Sequence, residues 1–203
     1  VAIPDELGAL EAAPLLCAGI ATFNALKKCG AEAGDTVAVL GIGGLGHMAL
    51  QYARKMGFRV IAVGRGADLA ADVAALGAHA YVDTDDGEPA AALQRLGGVQ
   101  AIVTTVGQAA VVAALLPALL PRGRVVLLGA GRDPLPVAMG PLVGGERSIL
   151  GSITGTPHEA ERALAFSVLA DVRPHFEVMP LDQAQQAYQR LKSGEAKFRI
   201  VLA

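Results

Sequence analysis

The sequence predicts an α/β protein: a doubly wound, six-stranded parallel sheet with helices on both faces and a C-terminal helix–strand–helix–strand extension. Three observations predict it. Short β-branched runs alternate with segments of helical period along most of the chain. Two of those runs, 100–107 and 123–129, are almost unbroken apolar stretches, as strands covered on both faces must be. The run at 35–41 passes directly through "GIGGLG" (41–46) into a helical pattern, the junction at which such sheets begin.

The elements follow in order. "DTVAVLG" (35–41) reads as the first strand. In "GLGHMALQYARKMG" (44–57), Leu45, Met48, Ala49, Tyr52, Ala53 and Met56 recur at helical spacing, and Gly57 ends the helix. "FRVIAVG" (58–64) is a second strand and "ADLAADVAALG" (67–77) a second helix, with Asp68 placed as its cap. "AYVD" (80–83) is a third strand. "EPAAALQRLGG" (88–98) is a helix with Pro89 in its first turn, where a missing N–H costs nothing. "QAIVTTVG" (100–107), a helix over 109–120, "GRVVLLG" (123–129) and "RSILGSIT" (147–154) complete six strands. The tail adds a helix over 158–170, a strand over 175–181, a helix over 182–194 and a strand over 197–203. Asp182 is expected to cap the tail's second helix and Gly194 to stop it.

The glycines of 41–46 fit an anion site. Gly41 permits a tight turn, Gly43 lets a pyrophosphate approach the backbone, and Gly46 lets helix and strand pack closely. Free N–H groups across Gly43, Gly44, Leu45 and Gly46, with the helix dipole behind them, would hold the anion. His47 in the first helical turn could face the phosphates or solvent; the backbone supplies that site by itself, so solvent is expected. The second strand ends without the acid that takes the ribose hydroxyls of NAD: Gly64 stands there and Arg65 follows. A glycine leaves room for a 2′-phosphate and a guanidinium can bind it bidentately. NADP is therefore expected ahead of NAD.

Composition narrows the class. The chain has 203 residues, 53% hydrophobic and 18% charged, enough to bury a core in one domain or one and part of a second. The net charge of −2 and the lack of a Lys/Arg cluster give no electrostatic footprint for nucleic acid. Charges, Gly or Pro interrupt every apolar run, so no membrane span is expected. There is no signal-peptide pattern at the start, and the chain opens on Val1 as an excised piece would. Two cysteines, Cys17 and Cys29, make no disulfide framework, and a reduced, cytoplasmic setting follows. No pair of Cys or His residues has zinc-site spacing, so a closed zinc site within this chain is not expected.

The ordered set "AAPLLCAGIATFNAL", "GDTVAVLGIGGLGHMALQYARKMG", "LGAHAYVDT" and "SGEAKFRIVL" resembles the zinc-dependent alcohol dehydrogenases of the medium-chain dehydrogenase/reductase family over the whole chain. The resemblance implies an NAD(P)-dependent enzyme passing hydride between an alcohol or aldehyde and the cofactor. It implies that Cys17 of "LLCAG" is a ligand of the catalytic zinc. The family carries its remaining zinc ligands and most of its substrate pocket in an N-terminal domain with no counterpart here. By resemblance residues 1–17 lead from that domain, 18–155 bind the dinucleotide, and 156–203 return to the catalytic domain. Such a chain would bind cofactor without turnover, and without zinc. The family's Thr four residues after the cysteine is replaced by Ala21, with Thr22 next. The resemblance further assigns Thr105, Val106, Leu128, Gly129, Ala130, Ser152 and Ile153 to the cofactor cleft and Arg199 to the pyrophosphate. It assigns "DPLPVAMGPLVGGERS" (133–148) to a homodimer contact. A stand-alone dinucleotide-binding module without chemistry, and a zinc-free quinone or enoyl reductase relative, are the alternatives.

Overall fold

The computed structural model describes residues 1–203. Six strands form one parallel sheet: β1 (Thr36–Leu40), β2 (Arg59–Gly64), β3 (Ala80–Asp83), β4 (Val99–Thr104), β5 (Leu119–Leu127) and β6 (Ser148–Gly151). Their spatial order is β3-β2-β1-β4-β5-β6. The order reverses direction at β1, so a crevice opens at the carboxyl ends of β1 and β4. The expected doubly wound sheet is present.

Helices cover both faces. They are α1 (Ala9–Lys28), α2 (Gly46–Lys55), α3 (Leu69–Ala75), α4 (Pro89–Arg95), α5 (Ala109–Leu115) and α6 (Met139–Gly145). Alternate residues of β1 enter two different cores: Val37 and Val39 join Met48, Leu50 and Tyr52 on one side, and Ala38 and Leu40 join Leu93, Val112 and Leu115 on the other. This is the period-2 partition of a strand buried on both faces. Each fully buried Leu or Ile contributes about 1.5–3 kcal/mol.

Several boundaries differ from expectation. The helix expected over 109–120 stops at Leu115 and passes into a 3-10 turn, Leu116–Ala118. Pro117 has no N–H to continue an α-helix, and its ring would meet the carbonyl four residues back. The chain then enters β5 four residues earlier than 123. Asp182 is not an N-cap. It lies within a 3-10 turn, Leu181–Gln183, that precedes the helix. Asp68 does occupy the cap position of α3, but its side chain makes no capping bond. Gly57 and Gly194 end their helices with φ of +87° and +82°, as expected.

Two helices went unforeseen. One is α6. The other is α1, which contains Pro14 and a π turn at Leu15–Gly19. By length and composition α1 could cross a membrane, contrary to the expectation that no run could. Yet 67% of its most apolar window is buried in the protein, which marks it as a core helix.

The tail comprises α7 (Pro157–Leu169), β7 (Phe176–Met179), α8 (Ala184–Ser193) and β8 (Arg199–Leu202). Thr156 and Glu159 cap α7 reciprocally: the Thr156 N–H donates to Glu159 Oε2 at 2.8 Å, and the Glu159 N–H to Thr156 Oγ1 at 3.3 Å. β7 and β8 pair parallel as a separate two-stranded sheet, Phe176 opposite Arg199.

Candidate functional site

The site is built where β1 turns into α2. Gly41 takes φ +89°, and its N–H donates to the Val63 carbonyl at 2.9 Å, tying the turn to β2. Thr105, just beyond β4, donates its hydroxyl to the Gly41 carbonyl at 3.0 Å. A Cβ on Gly41 would lie 2.5 Å from that hydroxyl. A Cβ on Gly46 would lie 2.0 Å from the Gly41 carbonyl oxygen. Those two glycines are required by the protein's own packing. Gly43 differs: a Cβ there would meet no atom within 4 Å. The N–H groups of Gly43, Gly44 and Leu45 donate to no group in the chain. Three donors beside an open glycine face, at the start of a ten-residue helix, suit an anion.

A cavity of about 660 Å³ opens beside this turn. It brings together Gly41, Gly43, Gly64, Arg65, Thr105 and Val106, all expected site residues. Arg65 stands at one end with its side chain 81% exposed. Gly64 is buried, and a Cβ there would touch Leu69, Tyr81 and Ile42 at 3.2–3.3 Å. A neighbouring hollow of about 220 Å³ includes Val106, Gly129 and Ala130. Leu128 instead packs against the core. Ser152 accepts a bond from Lys28 Nζ at 3.2 Å, and Ile153 is 82% exposed. Neither Ser152 nor Ile153 lines either cavity.

The tail reaches the back of the glycine turn. Arg199 Nε donates to the Gly44 carbonyl at 3.1 Å. Burial pulls the Arg199 pKa below the usual arginine value, with Cys17 acting weakly the other way. His47 does not face solvent. It is fully buried, and its burial pushes its pKa down to about 4. Its Nε2 accepts the His175 N–H at 3.2 Å, and its Nδ1 lies 3.3 Å from the Gly43 carbonyl. Only a neutral ring protonated on Nδ1 can serve both.

Sequence comparison fits this geometry. Residues 44–168 match the family described as zinc-binding dehydrogenase. The alcohol dehydrogenase patD of Penicillium expansum is 39% identical over 202 residues, covering 100% of this chain and 59% of that protein. The NADP-dependent alcohol dehydrogenase C 1 of Mycolicibacterium smegmatis is 37% identical over 98% of this chain and 57% of its own length. The crystal structure of the alcohol dehydrogenase from Aeropyrum pernix superposes with a TM-score of 0.88 at 30% identity, over 100% of this chain and 61% of that one. This chain belongs to the zinc-binding dehydrogenase family.

The zinc-binding dehydrogenase chain spans about three-fifths of the relatives it matches. It does not itself offer a zinc site. No three His, Cys, Asp or Glu side chains converge on a metal-sized point. Cys17 is exposed on the π turn of α1, and Cys29 is buried at the end of that helix. A lone thiol does not fit zinc, which takes four ligands. Ala21 is buried, and the Thr22 hydroxyl donates to the Ala18 carbonyl at 2.7 Å, within its own helix.

Sequence reasoning missed Thr84, Asp85, Gln108 and Val111, which also line the main cavity. The signal for Thr84 and Asp85 was present, since both follow a strand's carboxyl end. Gln108 and Val111 come from the start of α5, which the same rule brings near the crevice.

Proposed function

We propose that this chain holds NADP(H) for an alcohol dehydrogenase, and that alone it binds the cofactor without turning over substrate. One observation carries the reading: the unengaged N–H groups of Gly43, Gly44 and Leu45 flank the open face of Gly43, beside a cavity that runs to Arg65. The amides and the α2 dipole would grip the pyrophosphate. Arg199 would add positive charge from behind the turn. Thr105 and Val106 would line the crossing toward the nicotinamide, with Leu128, Gly129, Ala130, Ser152 and Ile153 beyond them. When bound, the nicotinamide supplies a hydride acceptor for an alcohol carbon, or a donor to an aldehyde.

Arg65 supports NADP(H) ahead of NAD(H), because its largely exposed guanidinium lines the cavity where a 2′-phosphate would arrive and no carboxylate ends β2. The Mycolicibacterium relative, named as NADP-dependent, supports the same choice. Cys17 is the one donor this chain would lend to a zinc in the longer enzyme, and no step here depends on it. In this reading residues 1–17 lead in from a catalytic domain, 18–155 bind cofactor and 156–203 return to it. Helix α1 crosses the first of these boundaries unbroken, so that boundary marks use and not folding.

A homodimer belongs to the same reading. β6 is an unpaired edge of the sheet, and Met139 and Val143 of α6, the helix that precedes it in the chain, are 80% and 78% exposed. An apolar edge of this kind calls for a cover. Two unpaired cysteines suit a cytoplasmic location.

Calorimetric titration of the chain with NADPH and NADH tests the core of the proposal. Saturable binding of at least NADPH is expected, with no turnover of added alcohols. A chain that binds neither nucleotide refutes it.

A further inference from the structure

Arg65 already has a partner. Its Nε lies 3.9 Å from Asp85 Oδ1, and both residues line the main cavity. The position of Asp85 is built. Asp83, at the end of β3, accepts the Gly66 N–H at 2.9 Å and the Asp85 N–H at 3.0 Å on the same oxygen. The Tyr81 hydroxyl donates to the Gly66 carbonyl at 2.9 Å. These bonds fasten the turn after β2 to the turn after β3. They fix the Asp85 backbone on the Arg65 side of the cavity and leave its side chain within reach of the guanidinium.

The surroundings are negative. Burial pushes the Tyr81 phenol up to about 12, and the carboxylates of Asp83, Asp68, Asp85 and Asp86 push in the same direction. A 2′-phosphate arriving here meets one guanidinium that already has a carboxylate 3.9 Å away. To bind the phosphate, Arg65 must leave or share Asp85, and the released carboxylate then stands near a second anion. A ribose without the phosphate makes no such demand.

We propose that Asp85 is a specificity-determining residue: it competes with the 2′-phosphate for Arg65 and so limits the preference for NADP(H) over NAD(H). The inference rests on the dinucleotide reading above. It goes beyond that reading by assigning selectivity to a residue on β3's far turn, in addition to the pair that ends β2.

Dissociation constants for NADPH and NADH in the parent, Asp85→Asn, Arg65→Gln and the double variant decide it. Asn keeps the size and the backbone bond of Asp85, and both side chains are largely exposed, so the fold is expected to persist. Exposed ion pairs of this kind set the scale at about three- to fivefold. Asp85→Asn should tighten NADPH by that factor and move NADH by less than about twofold. In the Arg65→Gln background the gain should fall to about half or less, since the competition has lost its object. If the parent binds both nucleotides and Asp85→Asn leaves their ratio unchanged, the Asp85 assignment alone is overturned. An equal gain with and without Arg65 also overturns it, because the carboxylate then acts by direct repulsion. A parent that binds neither nucleotide overturns the dinucleotide reading and this inference with it.

Discussion

The imidazole of His47 lies flat on the ring of Phe198, with centroids 5.0 Å apart and 12° between planes. His47 opens the helix behind the glycine turn, and Phe198 immediately precedes β8. The stack, with the His175 N–H on His47 Nε2, joins the tail to the glycine turn. Burial first, then the nearby His175 and Arg199, hold the His47 pKa down at about 4. In the unfolded chain the imidazole takes a proton near pH 6.5. Between these values the unfolded state binds more protons, so stability falls as pH drops from about 6.5 to about 4. The full effect is about 3 kcal/mol, present above the upper value and lost below the lower. Urea unfolding across this range should show the slope, and His47→Gln should flatten it. A slope unchanged in the variant would place the proton uptake elsewhere.

Gly43 and Gly46 should separate binding from folding. Gly43→Val projects its side chain into open space, so the melting temperature should stay near the parent's. The same side chain would stand where a pyrophosphate must approach, and dinucleotide affinity should fall about tenfold or more. Gly46→Ala forces a Cβ against the Gly41 carbonyl and should cost about 1–3 kcal/mol of stability. Thermal melts and titrations on both variants check the pair. A Gly43→Val protein that binds as tightly as the parent would remove the anion site from that turn.

The contrast shows what the sequence makes legible. Strands written as β-branched runs, and helices written at helical spacing, were readable because each element's pattern is local. The three glycines were readable because a strand–turn–helix context restricts what they can do. Helix α1 was missed because Pro14 and Gly19 break the usual helical signs, and the π turn absorbs them. The buried place of His47 was missed because Phe198 and His175 lie far along the chain, and no periodicity announces a contact of that range. Asp85 was passed over because it looks like one more solvated acid in "DTDDGE" until β2 and β3 are set side by side.

Tyr52 and Ser167 form a buried pair between α2 and α7, with oxygens 2.7 Å apart. Ser167 spends its proton on the Ala163 carbonyl at 2.7 Å, so Tyr52 is the donor. Tyr52→Phe removes the donor, leaves Ser167 satisfied through Ala163, and should cost about 1 kcal/mol. Ser167→Ala strands the phenol in the core and should cost more, about 1–3 kcal/mol. The double variant should cost less than the sum, as measured by denaturant unfolding. Strict additivity would mean the hydrogen bond contributes nothing.

Arg199 and Arg65 should act on different parts of the cofactor. Arg199 sits on the Gly44 carbonyl behind the glycine turn, so in the proposed reading its charge would serve a group that NADH and NADPH share. Arg199→Ala should weaken both by about tenfold, in line with a charge-assisted bond. Arg65→Gln should weaken NADPH and leave NADH nearly unchanged. Titration of both variants with both nucleotides gives four numbers. An Arg199→Ala loss confined to NADPH would contradict its placement at the pyrophosphate.

The two cysteines should differ sharply in reactivity. Cys29 is 1% exposed, and burial raises its pKa, so thiolate is scarce and reagent cannot reach it. Cys17 stands exposed on the π turn of α1, where five residues in a wider turn carry it outward while Leu15 and Ala18 stay in the core. Iodoacetamide at mildly alkaline pH should therefore add one group quickly, at Cys17, with Cys29 labelled only as urea unfolds the chain. Peptide mapping by mass spectrometry assigns the sites. Equal labelling rates in native buffer would show that the end of α1 opens readily. The helix that presents the thiol would then be too mobile to hold it in a fixed position.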